Sequence, residues 1–166
     1  MTSEPWVFRA TDEQATATLG RALADCAPVG GVIALDGVLG AGKTRLVQAV
    51  SQASGVDRRD VVSPTFVLVH EYQGRVPIIH IDAYRIRDDD EFLQIGAEEY
   101  FQPPNLVLVE WASRVETCLP DDRLTITITV QDDDARHFRV RASGPAHRAI
   151  VDCLRQTFGD EATATE

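Results

Sequence analysis

GGVIALDGVLGAGKT, residues Gly30 to Thr44, decides how this chain is read. Val32 to Leu35 is a short apolar run with no alternation. Such a run suits a strand covered on both faces, as in a parallel sheet. It leads into Gly37-Val38-Leu39-Gly40-Ala41-Gly42-Lys43-Thr44, which fits G-x-x-x-x-G-K-[ST]. Thr44 to Ala53 then reads as a helix, with Leu46, Val47, Ala49 and Val50 facing inward. Strand, glycine loop and helix together are the context that a phosphate-binding loop requires.

The residue types of the loop have separate physical reasons. Glycines let backbone N–H groups turn toward phosphate oxygens without Cβ clashes. The helix that follows aims its positive N-terminal end at the same anion. Lys43 is the only lysine in the chain. An ammonium on a flexible stem reaches β and γ phosphates in a way a planar guanidinium does not. Thr44 offers a hydroxyl to Mg²⁺. With no second lysine, an Asn-Lys-x-Asp guanine-reading motif is impossible, which favours ATP over GTP.

Outward from the loop, two apolar strands end in acids. IIHID ends at Asp82 and LVLVE at Glu110. A carboxylate delivered beside a phosphate loop completes a Mg²⁺ shell or orients the attacking water. The more continuously apolar strand, and so the more central one, is that of Glu110. His80 shares a strand face with Asp82; a metal pair is one reading, and a hydrogen-bonded structural histidine is the favoured one. The acidic runs Asp88–Asp90 and Asp132–Asp134 lack calcium-loop spacing and read as a helix cap and a turn.

The rest of the chain is an α/β alternation. Thr11 to Cys26 reads as an amphipathic helix, capped by Thr11 with Gln14. Phe66–Tyr72 and Val76–Tyr84 read as strands joined at Gln73-Gly74, and Asp88 with Glu91 opens a short helix. Thr125–Val130 alternates strictly and returns through Phe138, Val140 and Ala142, which alternate with His137, Arg139 and Arg141. Ile150, Cys153, Leu154 and Phe158 mark a final helix, and the residues after it read as a frayed tail. The expectation is one P-loop domain over residues 1–158 with a disordered tail at 159–166. Its sheet is mostly parallel and flanked by helices, with an antiparallel hairpin added.

Composition sets outer bounds. The chain of 166 residues is long enough to bury a core of its own. Its start has no basic or apolar leader pattern, which points to the cytoplasm. Cys26, Cys118 and Cys153 show no zinc or disulfide spacing, so Cys26 and Cys153 read as small core residues in a reducing compartment. A net charge of −10 opposes nucleic-acid binding, so RNA, if involved, is expected to be held by another protein.

The ordered set GVLGAGKT, VVSPTFVLVHEY, IIHIDAYRI, EFLQIGAEEYF and LVLVEW resembles the bacterial TsaE family, the small ATPases of tRNA threonylcarbamoyladenosine biosynthesis. The likeness runs from about Thr11 to Trp111 and more loosely to the hairpin ending at Arg141. It implies an ATPase requiring Mg²⁺, slow alone, that docks on a TsaB–TsaD complex, which performs the transfer to tRNA. It implies ATP contacts from Gly37 to Arg45 and roles for Lys43, Asp82 and Glu110 in hydrolysis. Mg²⁺ ligation would fall to Thr44, Asp82 and Glu110. Ser63-Pro64-Thr65 would form a switch-like loop. Thr11 and Arg136 match positions near the base, although capping alone explains Thr11. Val38 replaces the family's usual Asp, Arg45 its usual Thr, and Ala83 its usual Leu. A small metabolite kinase and a nucleotide-switched adaptor without turnover are the competing readings.

Overall fold

In the computed structural model, which describes residues 4–61 and 68–164, the apolar run of the opening stretch lies in β2 (Gly31–Asp36), inside an eight-stranded sheet. Before it come β1 (Trp6–Ala10) and α1 (Glu13–Cys26). After it come α2 (Lys43–Ala53), the pair β3 (Val69–Gln73) and β4 (Pro77–Asp82), and the short helices α3 (Asp89–Gln94) and α4 (Ala97–Tyr100). The remainder is β5 (Leu106–Glu110), a 3-10 segment at Ala112–Cys118, β6 (Leu124–Val130), β7 (Arg136–Ala142), α5 (Pro145–Phe158) and β8 (Glu161–Ala164).

The strands lie in the order β3-β4-β5-β2-β6-β7-β1-β8. The four central strands β4, β5, β2 and β6 run parallel; β3 pairs antiparallel with β4, and β7 pairs antiparallel with both β6 and β1. Both faces of β2 and β5 are covered, which is why their sequences are continuously apolar. Ile33, Leu35, Leu106 and Leu108 pack under α1, α2 and α5, while Val32, Ala34, Val107 and Val109 pack under α3, α4 and the 3-10 segment. The α/β class with an added antiparallel hairpin is what the sequence pattern indicates.

Register places the acids. Leu35 pairs with Glu110, and Glu110 pairs with Asp82. The ends of three adjacent parallel strands therefore share one row, and the phosphate loop leaves from that row.

The opposite end of β2 is held by a histidine. The Val32 N–H donates to His147 Nε2 at 2.9 Å, and His147 Nδ1 lies 2.6 Å from Asp122 Oδ1. Because Nε2 accepts, the ring proton sits on Nδ1 and is donated to the carboxylate. Burial pushes the Asp122 carboxyl up, but hydrogen bonds from His147 and the Ala146 and His147 N–H groups outweigh it and leave Asp122 below its ordinary value. A Cβ at Gly31, whose φ is +151°, would lie 2.9 Å from His147 Nε2, so the imidazole needs glycine there.

Four expectations change. The cap of α1 is Asp12, not Thr11: the Asp12 carboxylate accepts the Ala15 N–H at 2.8 Å. A carboxylate is the better acceptor beside a helix N-terminus, and β1 extends to Ala10, which leaves Thr11 as the link. Cys26 and Cys153 form a disulfide across 127 residues, with Cα atoms 5.7 Å apart. Spacing along the chain could not show this, because the end of α1 meets α5 only in the folded sheet. The segment after Phe158 is not simply frayed: Glu161–Ala164 is β8, pairing parallel with β1. Finally, β1 itself has no counterpart in the sequence reading, although Trp6, Phe8 and Ala10 alternate and are buried. The expected strand start at Phe66 lies outside the described residues.

Candidate nucleotide site

Gly40 and Gly42 have φ of +79° and +111°, with nothing within 4 Å of where a Cβ would stand. The strain of such angles restricts these two positions to glycine. Gly42 begins α2 with no side-chain cap, so the first N–H groups of this helix remain directed at the loop. This backbone cradle suits a phosphate.

Lys43 is 5% exposed. Its Nζ donates to the Gly37 carbonyl at 2.6 Å and the Val38 carbonyl at 2.9 Å, and lies 3.9 Å from the centre of the Trp111 ring. Burial pushes its pKa down, against the opposing pull of Glu110, Asp36 and Asp82.

At the head of α2, the Thr44 hydroxyl donates to Glu110 Oε1 at 2.8 Å, and Oε2 lies 3.1 Å from it. His80 Nε2 meets Glu110 Oε2 at 2.5 Å. The result is a line from the half-buried Thr44 at the head of α2 through buried Glu110 on β5 to buried His80 on β4. His80 is the hydrogen-bonded histidine the sequence favoured, bonded to Glu110. Its Nδ1 has no hydrogen-bond partner among the described residues. Asp82 accepts the Tyr84 N–H at 2.9 Å, and burial raises its carboxyl above the ordinary value despite that bond.

Two aromatics stand beside these acids. Trp111 and Tyr84 rings lie 4.9 Å apart, and the Arg114 guanidinium is 5.3 Å from Tyr84. Trp111 has φ of +58°, a strained angle for a bulky side chain. The sequence reading gave Trp111 no role; a tryptophan directly after a strand-end acid was the available signal.

Lys43, Thr44, Asp82, Tyr84, Glu110 and Trp111 border one cavity of about 480 Å³, a size in the ~300–1,000 Å³ range of small-molecule sites, with His80 behind Glu110 and outside the lining. Leu39 to Arg45, Asp82, Glu110 and Arg136 line it; Thr11, Gly37 and Val38 do not. Its wall near α1 comes instead from Asp12, Glu13 and Thr16. Arg45 pairs with Glu13 at 2.8 Å. Arg136 spans from the β6–β7 turn to the loop, donating to the Ala41 carbonyl at 3.0 Å. Ser63, Pro64 and Thr65 lie outside the described residues.

The donor set fits Mg²⁺. Thr44 and Glu110 oxygens already meet, and Asp82 stands one strand away in the same row. Among the described residues, no group of three or more His, Cys, Asp or Glu could hold a metal unaided. Magnesium usually takes one or two carboxylates and completes its shell from phosphates and water.

The family model described as "Threonylcarbamoyl adenosine biosynthesis protein TsaE" matches residues 10–138. Relatives described as tRNA threonylcarbamoyladenosine biosynthesis protein TsaE include one from Bacillus subtilis, 36% identical over 89% of this chain and 92% of its own. One from Streptomyces coelicolor is 38% identical over 76% of this chain and 89% of its own. The crystal structure of Bacillus subtilis YdiB is similar with a TM-score of 0.78 at 29% identity, covering 95% of this chain and 98% of that one. With its phosphate loop, its row of strand-end acids and these matches, the chain belongs to the TsaE family.

Proposed function

We propose that this protein is a Mg²⁺-dependent ATPase of the cytoplasm that serves threonylcarbamoyladenosine formation in tRNA by acting on a TsaB–TsaD-like complex. The observation that carries the reading is the Thr44–Glu110–His80 line at the head of the phosphate loop. Family membership and the names of the relatives support the pathway. Among the described residues, no helix is long and apolar enough to cross a membrane.

The chemistry follows from the residues. Backbone N–H groups of Gly40 to Thr44 and the α2 N-terminus receive the phosphates. Lys43 exchanges the Gly37 and Val38 carbonyls for phosphate oxygens. Thr44, Asp82 and Glu110 would hold Mg²⁺, which supplies charge neutralisation on the β and γ oxygens. The cavity carries six carboxylates, from Asp12, Glu13, Asp82, Glu110, Asp133 and Asp134, against three cations, Lys43, Arg45 and Arg136. So acidic a wall favours nucleotide that arrives with its cation. Glu110, fixed by His80, accepts a proton from the attacking water or orients it. Threonylcarbamoyl transfer itself is left to the partner complex.

The test is ATP hydrolysis by the protein alone and with its cognate TsaB–TsaD complex. Slow turnover alone, raised by the complex, is expected. Lys43→Ala should weaken ATP binding about 10- to 100-fold, since charge-assisted hydrogen bonds contribute ~1.5–3 kcal/mol. An active complex that gives no stimulation would overturn the reading, and ADP formed only with a small acceptor present would make the protein a kinase.

A further inference from the structure

The sheet is covered on both faces at its centre but on one face only toward β1. Phe8, Phe138, Val140, Ile126 and Ile128 point into the core beneath α1 and α5. The residues alternating with them point the other way. Register puts Arg141 beside Thr125, Arg139 beside Thr127 and Val7, and His137 beside Thr129 and Arg9. Arg9, Arg139, Arg141, Thr127 and Thr129 are exposed, and no element buries them. Along β7 the two arginines stand about 6.8 Å apart, the i to i+2 spacing of a strand.

Among the described residues, the side chains of Arg9, Arg139 and Arg141 form no hydrogen bond or ion pair. In a chain of net charge −10, unpaired arginines would be expected to be scattered and neutralised. Here they share one face, bounded by Asp132–Asp134 at the β6–β7 turn, by Asp36, which pairs in register with Thr127, and by Glu161 of β8, which pairs in register with Val7. None of these basic residues lines the nucleotide cavity.

We infer that this open face docks the phosphate backbone of RNA. That the RNA is tRNA rests on the function proposed above. The face's chemistry selects phosphate over a protein surface. Protein interfaces centre on apolar or aromatic anchors, and here the one apolar side chain is the half-buried Val7. Guanidinium groups interleaved with hydroxyls suit phosphate oxygens. With no aromatic to stack a base, recognition is of backbone and not of sequence. The net acidity of the chain repels RNA, so its approach is favoured where the arginines gather on this face. That repulsion also keeps the contact weak for the protein alone, and it strengthens when a partner complex holds the tRNA nearby.

The experiment measures fluorescence anisotropy of labelled tRNA with the intact protein at about 50 and about 150 mM salt. Three released counterions predict an affinity roughly ten- to twentyfold lower at the higher salt. The triple variant Arg9→Gln, Arg139→Gln, Arg141→Gln should lose binding at least tenfold, with unchanged melting and basal ATPase. The Arg→Lys triple variant should retain binding, which separates charge loss from misfolding. No binding at the lower salt, or binding that survives the Gln triple variant, would overturn the inference. Displacement of tRNA by polyglutamate at equal charge would assign the face to an acidic protein instead. ATPase is read in the same samples: tRNA binding without turnover would refute the proposed function and leave this face standing, and turnover without binding would do the reverse.

Discussion

His147 and His80 are both buried and both bonded to a carboxylate, yet they serve different ends of the parallel strands. His147 has both ring nitrogens engaged, one by Asp122 and one by the Val32 N–H. It is a clamp on the start of β2 with no bonding capacity left. His80 spends one nitrogen on Glu110, and Glu110 in turn reaches Thr44. Its carboxylate faces the cavity, where a ligand can compete for it. A saturated histidine fixes backbone, whereas one that orients a cavity-facing acid stands where it would act on the hydrolysis proposed above. Burial alone does not tell the two apart.

The strongest way to break this contrast is at the acid. Glu110→Gln preserves shape and removes the charge, so single-turnover hydrolysis should fall about 10²- to 10³-fold while ATP still binds. Wild-type turnover would remove Glu110 from the mechanism and reduce His80 to a core residue. The two histidines can then be set against each other. His80→Gln should slow turnover about 10- to 100-fold with little change in melting, as expected for a residue that orients a ligand. His147→Ala should cost about 1–3 kcal/mol in urea unfolding, because the Val32 N–H is left buried and unpaired, with turnover per folded molecule unchanged. The reverse pattern would sink the assignment.

The smallest effect is the pH dependence of the clamp. Asp122 is held below its ordinary value when folded. Its contribution is therefore fully present above the unfolded value of about 3.9 and is lost as pH falls through the lower folded value. Asp122→Asn should be less stable than wild type by a constant amount from neutral pH to about pH 5, and the gap should close below about pH 4. A gap that widens in acid would give Asp122 the opposite sign.

Much of the site was legible because its chemistry is local. The glycine spacing, Lys43 and Thr44 are consecutive, and each helix or strand around them shows its own period. Asp82 and Glu110 were legible as strand-end acids, each marked by the apolar run before it. The capping of α3 was local too: Asp88 accepts the Glu91 N–H at 2.9 Å. The errors had longer reach or turned on a single position. Thr11 and Asp12 are both competent caps, and only the end of β1 decides between them. The aromatic pair Tyr84 and Trp111 was visible as letters, but its contact with Lys43 depends on how β4 and β5 sit against α2.

The sequence by itself determined the glycine loop between strand and helix, the α/β alternation and which acids end the two apolar strands, because each is written in spacings of a few residues. Tertiary structure alone decided that Leu35, Glu110 and Asp82 share a row, that Cys26 meets Cys153, and that Glu161–Ala164 pairs with β1. It also gathered Arg9 with Arg139 and Arg141 on one bare face. Strand pairing is the physical reason for three of the four, and the packing of α1 against α5 for the disulfide; both bring together residues far apart in the chain, whereas local periodicity carries the period of an element but not the identity of its neighbour.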